Sequence, residues 1–316
     1  MKTETFCNHA IGFLIIALPT LLIGHQSIAK PVTGYRPQVI YGDDNRIEVF
    51  QAANAATKTA NGPELKWDSL AKSTVAVFSN EDIEIDQSLG TANLSTQQFS
   101  EEYNLCKEEP FFEQPTGPFC SGSLVGEDLI LTAGHCIADQ FDCDQTAFVF
   151  GFDLSSPDKK SSIVSATEVY RCKEVVARTY EVEGADFALI RTTSKVAGHA
   201  PLKLNRSGSI QDATPLVLIG HPAGLPTKIA AGASVRSSSQ PGFFVANTDS
   251  YTGNSGSAVF NASTGLIEGV LVRGEKDFVT KPGDSCRISY HCTNEDCRGE
   301  DVTKISEVLS FVPEVN

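Results

Sequence analysis

The sequence has no apolar run of the length that a membrane span requires, and it has no excess of basic residues. Its N-terminal apolar stretch, Ile11 to Gly24, has 14 residues, whereas a transmembrane helix needs about 20. The chain carries 25 Lys and Arg against 39 Asp and Glu, a formal net charge of −14. Because nucleic acid binds basic surfaces, this balance argues against a nucleic-acid partner.

The apolar N-terminal stretch instead resembles a signal peptide. Small side chains at Ser27 and Ala29 follow it, at the positions that a signal peptidase inspects, so we expect residues 1–29 to be removed. The mature protein would then be secreted or periplasmic, with no stable membrane association. The basic region before the stretch is thin, since Lys2 is offset by Glu4, and an uncleaved anchor remains the alternative.

The chain also lacks a Cys-x-x-Cys pair, although it has nine cysteines. Cys7 lies in the expected signal peptide, and the other eight could form up to four disulfides in an exported protein. The spacing of His291 and the cysteines around it would also allow a zinc site. An oxidising compartment and the missing Cys-x-x-Cys pair favour disulfides over zinc.

Composition favours an all-β protein. The chain has 25 Gly and 15 Pro, with 41% hydrophobic and 20% charged residues, so many short segments alternate with turns. Its 316 residues can bury one large core or two adjacent ones. No internal repeat is visible. Residues 52–63 have the composition of a polar linker, and residues 81–114 that of an acidic surface insertion.

Three short motifs point to nucleophilic catalysis. A serine hydroxyl is a weak nucleophile unless an imidazole takes its proton, and a buried carboxylate must orient that imidazole. The sequence offers a histidine in Leu-Thr-Ala-Gly-His-Cys and a serine in Thr-Gly-Asn-Ser-Gly-Ser. An aspartate stands between them, directly before an apolar run. The predicted general base, orienting carboxylate and nucleophile are His135, Asp186 and Ser255.

Each assignment has a structural alternative. His135 could be a structural histidine beside a disulfide, and Ser255 an ordinary tight-turn serine. Asp186 could be a simple turn residue, in which case Asp142 or Asp153 would orient the histidine.

Taken together, the motifs resemble the chymotrypsin-fold, or trypsin-like, serine peptidases, closest to the secreted bacterial members related to the glutamyl endopeptidases. The resemblance runs from Cys120 to Gly274. It implies two antiparallel six-stranded β-barrels, about 67–200 and 201–300, within a peptidase domain that spans 67–316. Residues 30–66 would be an N-terminal extension or short propeptide with a linker. A closing helix is typical of the family, and the apolar spacing after residue 300 predicts one over 301–312.

The resemblance implies a serine endopeptidase that forms an acyl-enzyme on Ser255 and acts on protein or peptide substrates, with no cofactor. The backbone N–H groups of Gly253 and Ser255 would form the oxyanion hole. A disulfide would join Cys120 to Cys136 beside the histidine. Among the other cysteines we expect Cys143 to pair with Cys172, one bridge within the last three, and Cys106 to take the remaining one.

Substrate preference is predicted from residues near Ser255. Asp249 lies six residues before it and is followed by Ser250, an offset that resembles the cation-binding aspartate of trypsin. With Gly274 leaving the pocket wall open, this predicts cleavage after Arg or Lys. Leu271 stands where glutamyl-specific relatives have a histidine, which argues against acidic substrates. Arg273 stands at the expected pocket entrance and could itself pair with Asp249.

Two further alternatives concern activation and activity. Asn254 replaces the aspartate that pairs with a new N-terminus in pancreatic relatives, so that ion pair is not expected; removal of residues 30–38 would instead expose Val39. A catalytically silent homologue that uses the barrels as a binding module is the alternative function, although the complete triad argues against it. Esterases of another fold place the histidine last in the chain.

Overall fold

The computed structural model describes residues 39–53, 65–159 and 161–314. The expected signal peptide, residues 30–38 and most of the expected linker lie outside these residues. The described N-terminal segment and the short helix after the linker are made of β1 (Ile40–Tyr41), β2 (Arg46–Glu48), α1 (Val49–Ala52) and α2 (Trp67–Ala71).

The first half of the chain contains a closed antiparallel barrel and a long insertion. In chain order its elements are β3 (Thr74–Ser79), β4 (Ile83–Asp86), β5 (Thr91–Leu94), β6 (Gln97–Gln98), α3 (Phe99–Tyr103), β7 (Pro115–Thr116), β8 (Cys120–Gly126), β9 (Leu129–Thr132), α4 (Gln140–Asp144), β10 (Thr146–Val149), β11 (Ile163–Ser165), β12 (Val169–Tyr180) and β13 (Asp186–Thr192). The barrel closes in the order β10, β12, β13, β9, β8 and β3.

The second half forms a second closed barrel. Its elements are β14 (Pro215–Gly220), β15 (Lys228–Ser237), β16 (Phe243–Ala246), β17 (Ala258–Asn261), β18 (Ile267–Arg273), β19 (Phe278–Thr280), β20 (Arg287–Ser289), β21 (His291–Cys292) and β22 (Glu300–Lys304). Six strands run in the order β14, β17, β18, β22, β16 and β15, and β14 pairs with β15 to close the ring. The expectation of two six-stranded barrels is confirmed.

Alternation along the strands explains how these barrels pack. Val75 and Val77 of β3 point into the first barrel, whereas Ala76 and Phe78 point outward, against the insertion. A two-residue period of this kind lines one face of a strand with core residues. A further apolar cluster contains residues of both barrels, including Leu131, Leu189 and Val270. The two barrels therefore share a buried seam.

The segment predicted to be an acidic insertion has ordered structure. Strands β4, β5 and β11 form a three-stranded sheet that packs on the outside of the first barrel, and β6 pairs with β7. Between residues 81 and 114 the chain has nine acidic residues and one basic residue, Lys107. The acidic side chains therefore lie on a structured layer beside the barrel.

The predicted C-terminal helix over 301–312 is wrong. Glu300–Lys304 is strand β22, which pairs with both β16 and β18, and only a short 3-10 turn, Ile305–Glu307, follows. Without β22 the backbone groups of two buried strands would lack partners, at a cost comparable to lost hydrogen bonds. Val302 fills the barrel core, so the apolar spacing that indicates a helix also fits a strand followed by a turn.

The segment expected to be an N-terminal extension contributes to the second barrel's sheet. Strand β2 pairs with β15 over Arg46–Glu48, and β1 pairs in parallel with β21. Lys228 of β15 is buried and donates to Gln114, with Glu48 at 3.1 Å from its Nζ. Residues 39–53 are thereby tied both to the barrel and to the insertion.

Candidate active site

His135 lies in the turn that follows β9 at the seam between the barrels. Gly134 is required there, because a Cβ at that position would come within 2.2 Å of the Thr179 carbonyl oxygen. Arg178 donates from Nε to the Gly134 carbonyl at 2.7 Å, and Thr132 donates from its hydroxyl to the Ser121 carbonyl at 2.7 Å. The Arg178 bond and the close packing at Gly134 hold the histidine turn against β12, and the Thr132 bond joins the end of β9 to β8.

Asp186 begins β13 and is fully buried beside His135. Its Oδ2 lies 2.7 Å from His135 Nδ1, and its Oδ1 accepts from the His135 backbone N–H at 3.0 Å. The Asp186 backbone is held in turn by the Thr303 hydroxyl, through contacts of 3.0 and 2.9 Å. A carboxylate at Nδ1 holds the ring so that Nε2 is left to accept a proton.

The two alternative carboxylates have other partners. Asp142 accepts from the Ala138 backbone N–H at 2.9 Å, and Asp153 pairs with Lys159 at 2.6 Å. The structure thus brings His135 together with Asp186 rather than with either of these aspartates.

Ser255 lies in a turn of the second barrel that touches the histidine turn. Its carbonyl accepts from the Ser121 N–H at 2.8 Å and lies 3.7 Å from Cys136 Sγ. Gly256 has φ +91°, and a Cβ there would come within 2.0 Å of the Ser121 carbonyl oxygen. Within the described residues no hydrogen bond joins the Ser255 and His135 side chains, a contact that often tightens only when substrate binds.

The residue before Asn254 provides a donor next to the serine. Gly253 has φ +86°, and a Cβ there would come within 2.6 Å of the His221 carbonyl oxygen. The Ser121 hydroxyl donates to the Gly253 carbonyl at 2.7 Å and accepts from the His221 N–H at 2.9 Å. In the described part of the chain the N–H groups of Gly253 and Ser255 have no hydrogen-bond acceptor. Both predicted oxyanion donors are therefore free to bind one.

Four disulfides reproduce the predicted pairing of the cysteines. Cys120 is bonded to Cys136 and Cys143 to Cys172, as expected. The bridge within the last three cysteines joins Cys292 to Cys297, and Cys106 takes the remaining Cys286. Because the sulfurs are bonded to each other, the zinc alternative at His291 lacks its thiolates. The same holds at the seam, where Cys120, His135 and Cys136 lie close enough together to suggest a metal site.

The structure corrects the role expected for Asp249. Its Oδ1 accepts from the Tyr41 N–H and its Oδ2 from the Asn45 N–H, each at 2.8 Å. The side chain is buried, and burial raises its pKa to about 6. Asp249 therefore anchors the N-terminal segment, which a substrate cation would have to displace. Sequence motifs could not indicate this, because the partners are about 200 residues away.

The other predicted pocket residues are placed as follows. Ser250 is fully buried, and its N–H donates to the Val39 carbonyl at 3.3 Å. Gly274 is half-buried and follows the last residue of β18. Arg273 does not pair with Asp249; its guanidinium binds Asp301 at 3.0 Å. Asn254, at the position of the pancreatic activation aspartate, accepts from the Ser257 hydroxyl at 3.0 Å.

A cleft of about 310 Å³ opens beside Gly253. Its only charged lining residues are Asp82 and Glu102, both from the insertion, and burial raises the pKa of Asp82. The remaining lining residues are polar or apolar, namely Ser95, Thr96, Gln97, Tyr103, Thr116, Gly117, Pro118, Phe119, Gly224, Thr252 and Gly253. The insertion thus forms one wall of this cleft, which Gly253 lines but His135, Asp186 and Ser255 do not.

Several residues of the site could not be identified from motifs alone. Ser121, Arg178 and Thr303 hold the three turns together through backbone carbonyls and amides. Ser121 had a signal, since it follows Cys120 in the segment that resembles the family. Arg178 and Thr303 had no such signal, because the sequence around each of them is that of an ordinary strand.

Comparison with known proteins agrees with this geometry. Residues 120–270 match the family model of the trypsin-like peptidase domain. The match runs from β8 into β18, so this part of the chain resembles a trypsin-like peptidase domain. No curated protein is similar to the chain in sequence. No helix among the described residues is long and apolar enough to cross a membrane.

Many solved structures are similar to the chain, and two of them have low sequence identity to it. A Glu endopeptidase in complex with MPD is 16% identical, covers 87% of this chain and 97% of its own, and has a TM-score of 0.48. Rv3671c from M. tuberculosis H37Rv, in an inactive mutant form, is 12% identical, covers 77% of this chain and 85% of its own, and has a TM-score of 0.40. These distant likenesses do not indicate a substrate.

Proposed function

We propose that this chain is an active, trypsin-like serine endopeptidase. Ser255 attacks the scissile carbonyl while His135 takes its proton and later transfers it to the leaving amine. Asp186 orients the imidazole and stabilises its protonated form. The observation that carries the proposal is the contact of 2.7 Å between His135 Nδ1 and Asp186 Oδ2. The turn that contains His135 touches the turn that contains Ser255.

The free N–H groups of Gly253 and Ser255 support the same chemistry. The tetrahedral intermediate has an oxyanion, and preorganised backbone donors stabilise it without reorganisation. The Gly253 carbonyl accepts from the Ser121 hydroxyl, and the Asn254 N–H donates to the Tyr251 carbonyl, so the peptide between the two donor residues is held in place. A binding module would have no use for this arrangement, so it favours an enzyme over the silent homologue.

A peptide substrate suits the surface around the seam. Of the large apolar side chains that are exposed, three lie near the site: Phe119 lines the cleft, Tyr180 has its ring 6.4 Å from that of His135, and Val182 follows two residues later. Exposed apolar groups around a cleft are typical of binding surfaces. Because Asp82 and Glu102 are the charged lining residues of the cleft, neutral or basic residues would be accepted there more readily than acidic ones.

The preference for Arg or Lys before the scissile bond remains a prediction, and Asp249 no longer gives it a simple basis. Secretion or periplasmic location is likewise proposed, with four disulfides in its support, because such bonds persist in oxidising compartments. Cleavage of the signal peptide near Ala29 belongs to the same proposal.

Cleavage profiling with a peptide library randomised on both sides of the scissile bond tests this function. The mature chain should cut internal peptide bonds, and a matched Ser255→Ala variant should cut none of them above background. Equal cleavage by both proteins would show that the activity does not come from Ser255. Exclusive cleavage after Glu would contradict the predicted exclusion of acidic residues.

A further inference from the structure

Arg273 is a buried cation next to the candidate catalytic pair. It ends β18 and has only 4% of its surface exposed. Its Nη1 lies 3.8 Å from Asp186 Oδ2, the same oxygen that contacts His135 Nδ1. The orienting carboxylate therefore lies between an imidazole and a guanidinium.

The same guanidinium holds the turn that leads into Asp186. Nη1 donates to the Glu181 carbonyl at 3.1 Å, and Nη2 donates to the Gly184 carbonyl at 2.6 Å. Both carbonyls belong to the first barrel, whereas Arg273 belongs to the second. A planar guanidinium with several fixed donors suits such a bridge, and a lysine cannot reproduce it.

The charges around this group are nearly balanced. Asp301 accepts from Arg273 Nε at 3.0 Å and also pairs with Arg298. From the first barrel, Arg178 lies on the other side of the histidine turn, and the side chain of Glu181 is exposed near Gly184. Contacts between groups of opposite charge therefore run from the exposed Arg298 through the buried Asp301 and Arg273 to the buried Asp186, which contacts the half-buried His135.

We propose, on the basis of the proposed function, that Arg273 is a positioning residue for the Asp186–His135 pair. It holds the turn before Asp186 in place across the two barrels, and it places a positive charge 3.8 Å from Asp186 Oδ2. A neighbouring cation favours the ionised carboxylate and at the same time opposes protonation of His135. Arg273 thus influences both the geometry of the pair and the pH at which His135 acts as a base.

Two effects separate this role from a purely structural one. Arg273→Gln removes the charge, so the acid limb of the kcat/KM profile, set by His135, should move up by about one pH unit. Loss of the turn contacts should also lower kcat, by up to about 100-fold. Arg273→Lys should restore the position of the acid limb but only part of kcat. Asp301→Asn removes a nearby negative charge, and its acid limb should move in the opposite direction, to lower pH.

Arg206→Gln is the matched control, since Arg206 also bonds two carbonyls, those of Val312 and Pro313, without touching the pair. Its profile should equal that of the wild type. If Arg273→Gln does not fold, the opposite shift in Asp301→Asn still tests the charge effect. Unmoved acid limbs in the folded Arg273 and Asp301 variants of an active enzyme would overturn the inference. A wild type that neither cleaves peptides nor reacts with a fluorophosphonate would instead overturn the proposed function.

Discussion

The seam around His135 and the region around Asp249 belong to the same domain. They differ in how well their contacts can be predicted from the sequence. At the seam, contacts are made between short turns whose glycines and small residues are visible in the sequence, as at Gly134 and Gly256. Around Asp249, the contacts come from backbone amides of residues 41 and 45, which sequence motifs did not connect with it. The comparison teaches that local motifs encode the catalytic turns, whereas the pocket depends on which distant segment packs there.

The largest expected effect is a loss of activity when Asp186, at the seam, is changed. Without that loss, the claim that local motifs encode the catalytic turns would be wrong. Asp186→Asn keeps the shape of the side chain but cannot stabilise the imidazolium, so kcat should fall by about 10⁴-fold. The fold should be retained, as judged by circular dichroism and thermal unfolding. Near-normal activity in the folded variant would show that another carboxylate orients His135.

The next effect concerns the stability contributed by His221, whose backbone carbonyl lies close to Gly253. Burial lowers its pKa from the usual 6.5 to about 3. The unfolded chain therefore binds more protons between these values, so the contribution of this group to stability is lost as pH falls from about 6.5 toward 3. This pKa difference corresponds to about 5 kcal/mol at acid pH.

His221→Asn tests that effect, because an amide N–H can still donate to the Leu225 carbonyl, which lies 3.0 Å from His221 Nδ1. Urea unfolding at several pH values should show a smaller loss of stability on acidification in the variant than in the wild type. Asp249, with its raised pKa, contributes the opposite slope between about 4 and 6. For this reason the quantity to compare is the difference between the two proteins; identical pH slopes would refute a buried neutral His221.

A smaller effect is expected from the bridge at the seam. Replacing Cys120 and Cys136 by serine opens a loop of 16 residues, which should cost about 3 kcal/mol of unfolding free energy. Activity should fall with stability, since Cys136 is adjacent to His135. Serine replacement of Cys292 and Cys297, which close a shorter loop of 5 residues, is the control. An equal loss of activity in that variant would show that the seam bridge has no special role.

The smallest expected effect concerns Asp249 and the stability of the N-terminal segment that it binds. Asp249→Asn keeps one acceptor but places an amide N–H₂ against a backbone N–H, so the N-terminal segment should loosen by about 1 to 3 kcal/mol. Hydrogen exchange of the Tyr41 and Asn45 amides should become faster, while kcat on a neutral substrate stays close to that of the wild type. A selective loss of cleavage after Arg or Lys would restore the specificity role predicted for Asp249.

Much of the candidate site could be predicted because each of its turns is encoded locally. His135, Ser255 and Gly253 stand in segments whose glycines permit close backbone approach. The turn-rich composition predicted an all-β protein, and the resemblance to trypsin-like peptidases implied the two barrels. The C-terminal strand β22 could not be predicted, because Val302, Ile305 and Val308 have the spacing of a helix although only Val302 lies in the strand and the other two lie in the turn that follows. The partners of Arg273 and Asp249 could not be predicted, because they come from segments distant in sequence.

Reaction with a fluorophosphonate that labels activated serines tests the central claim most directly. The account predicts stoichiometric labelling of the wild type at Ser255, located by peptide mapping, with none in Ser255→Ala and strongly slowed labelling in His135→Ala. Labelling of wild type and Ser255→Ala to the same extent, or none in a correctly folded wild type with its four disulfides formed, would contradict it.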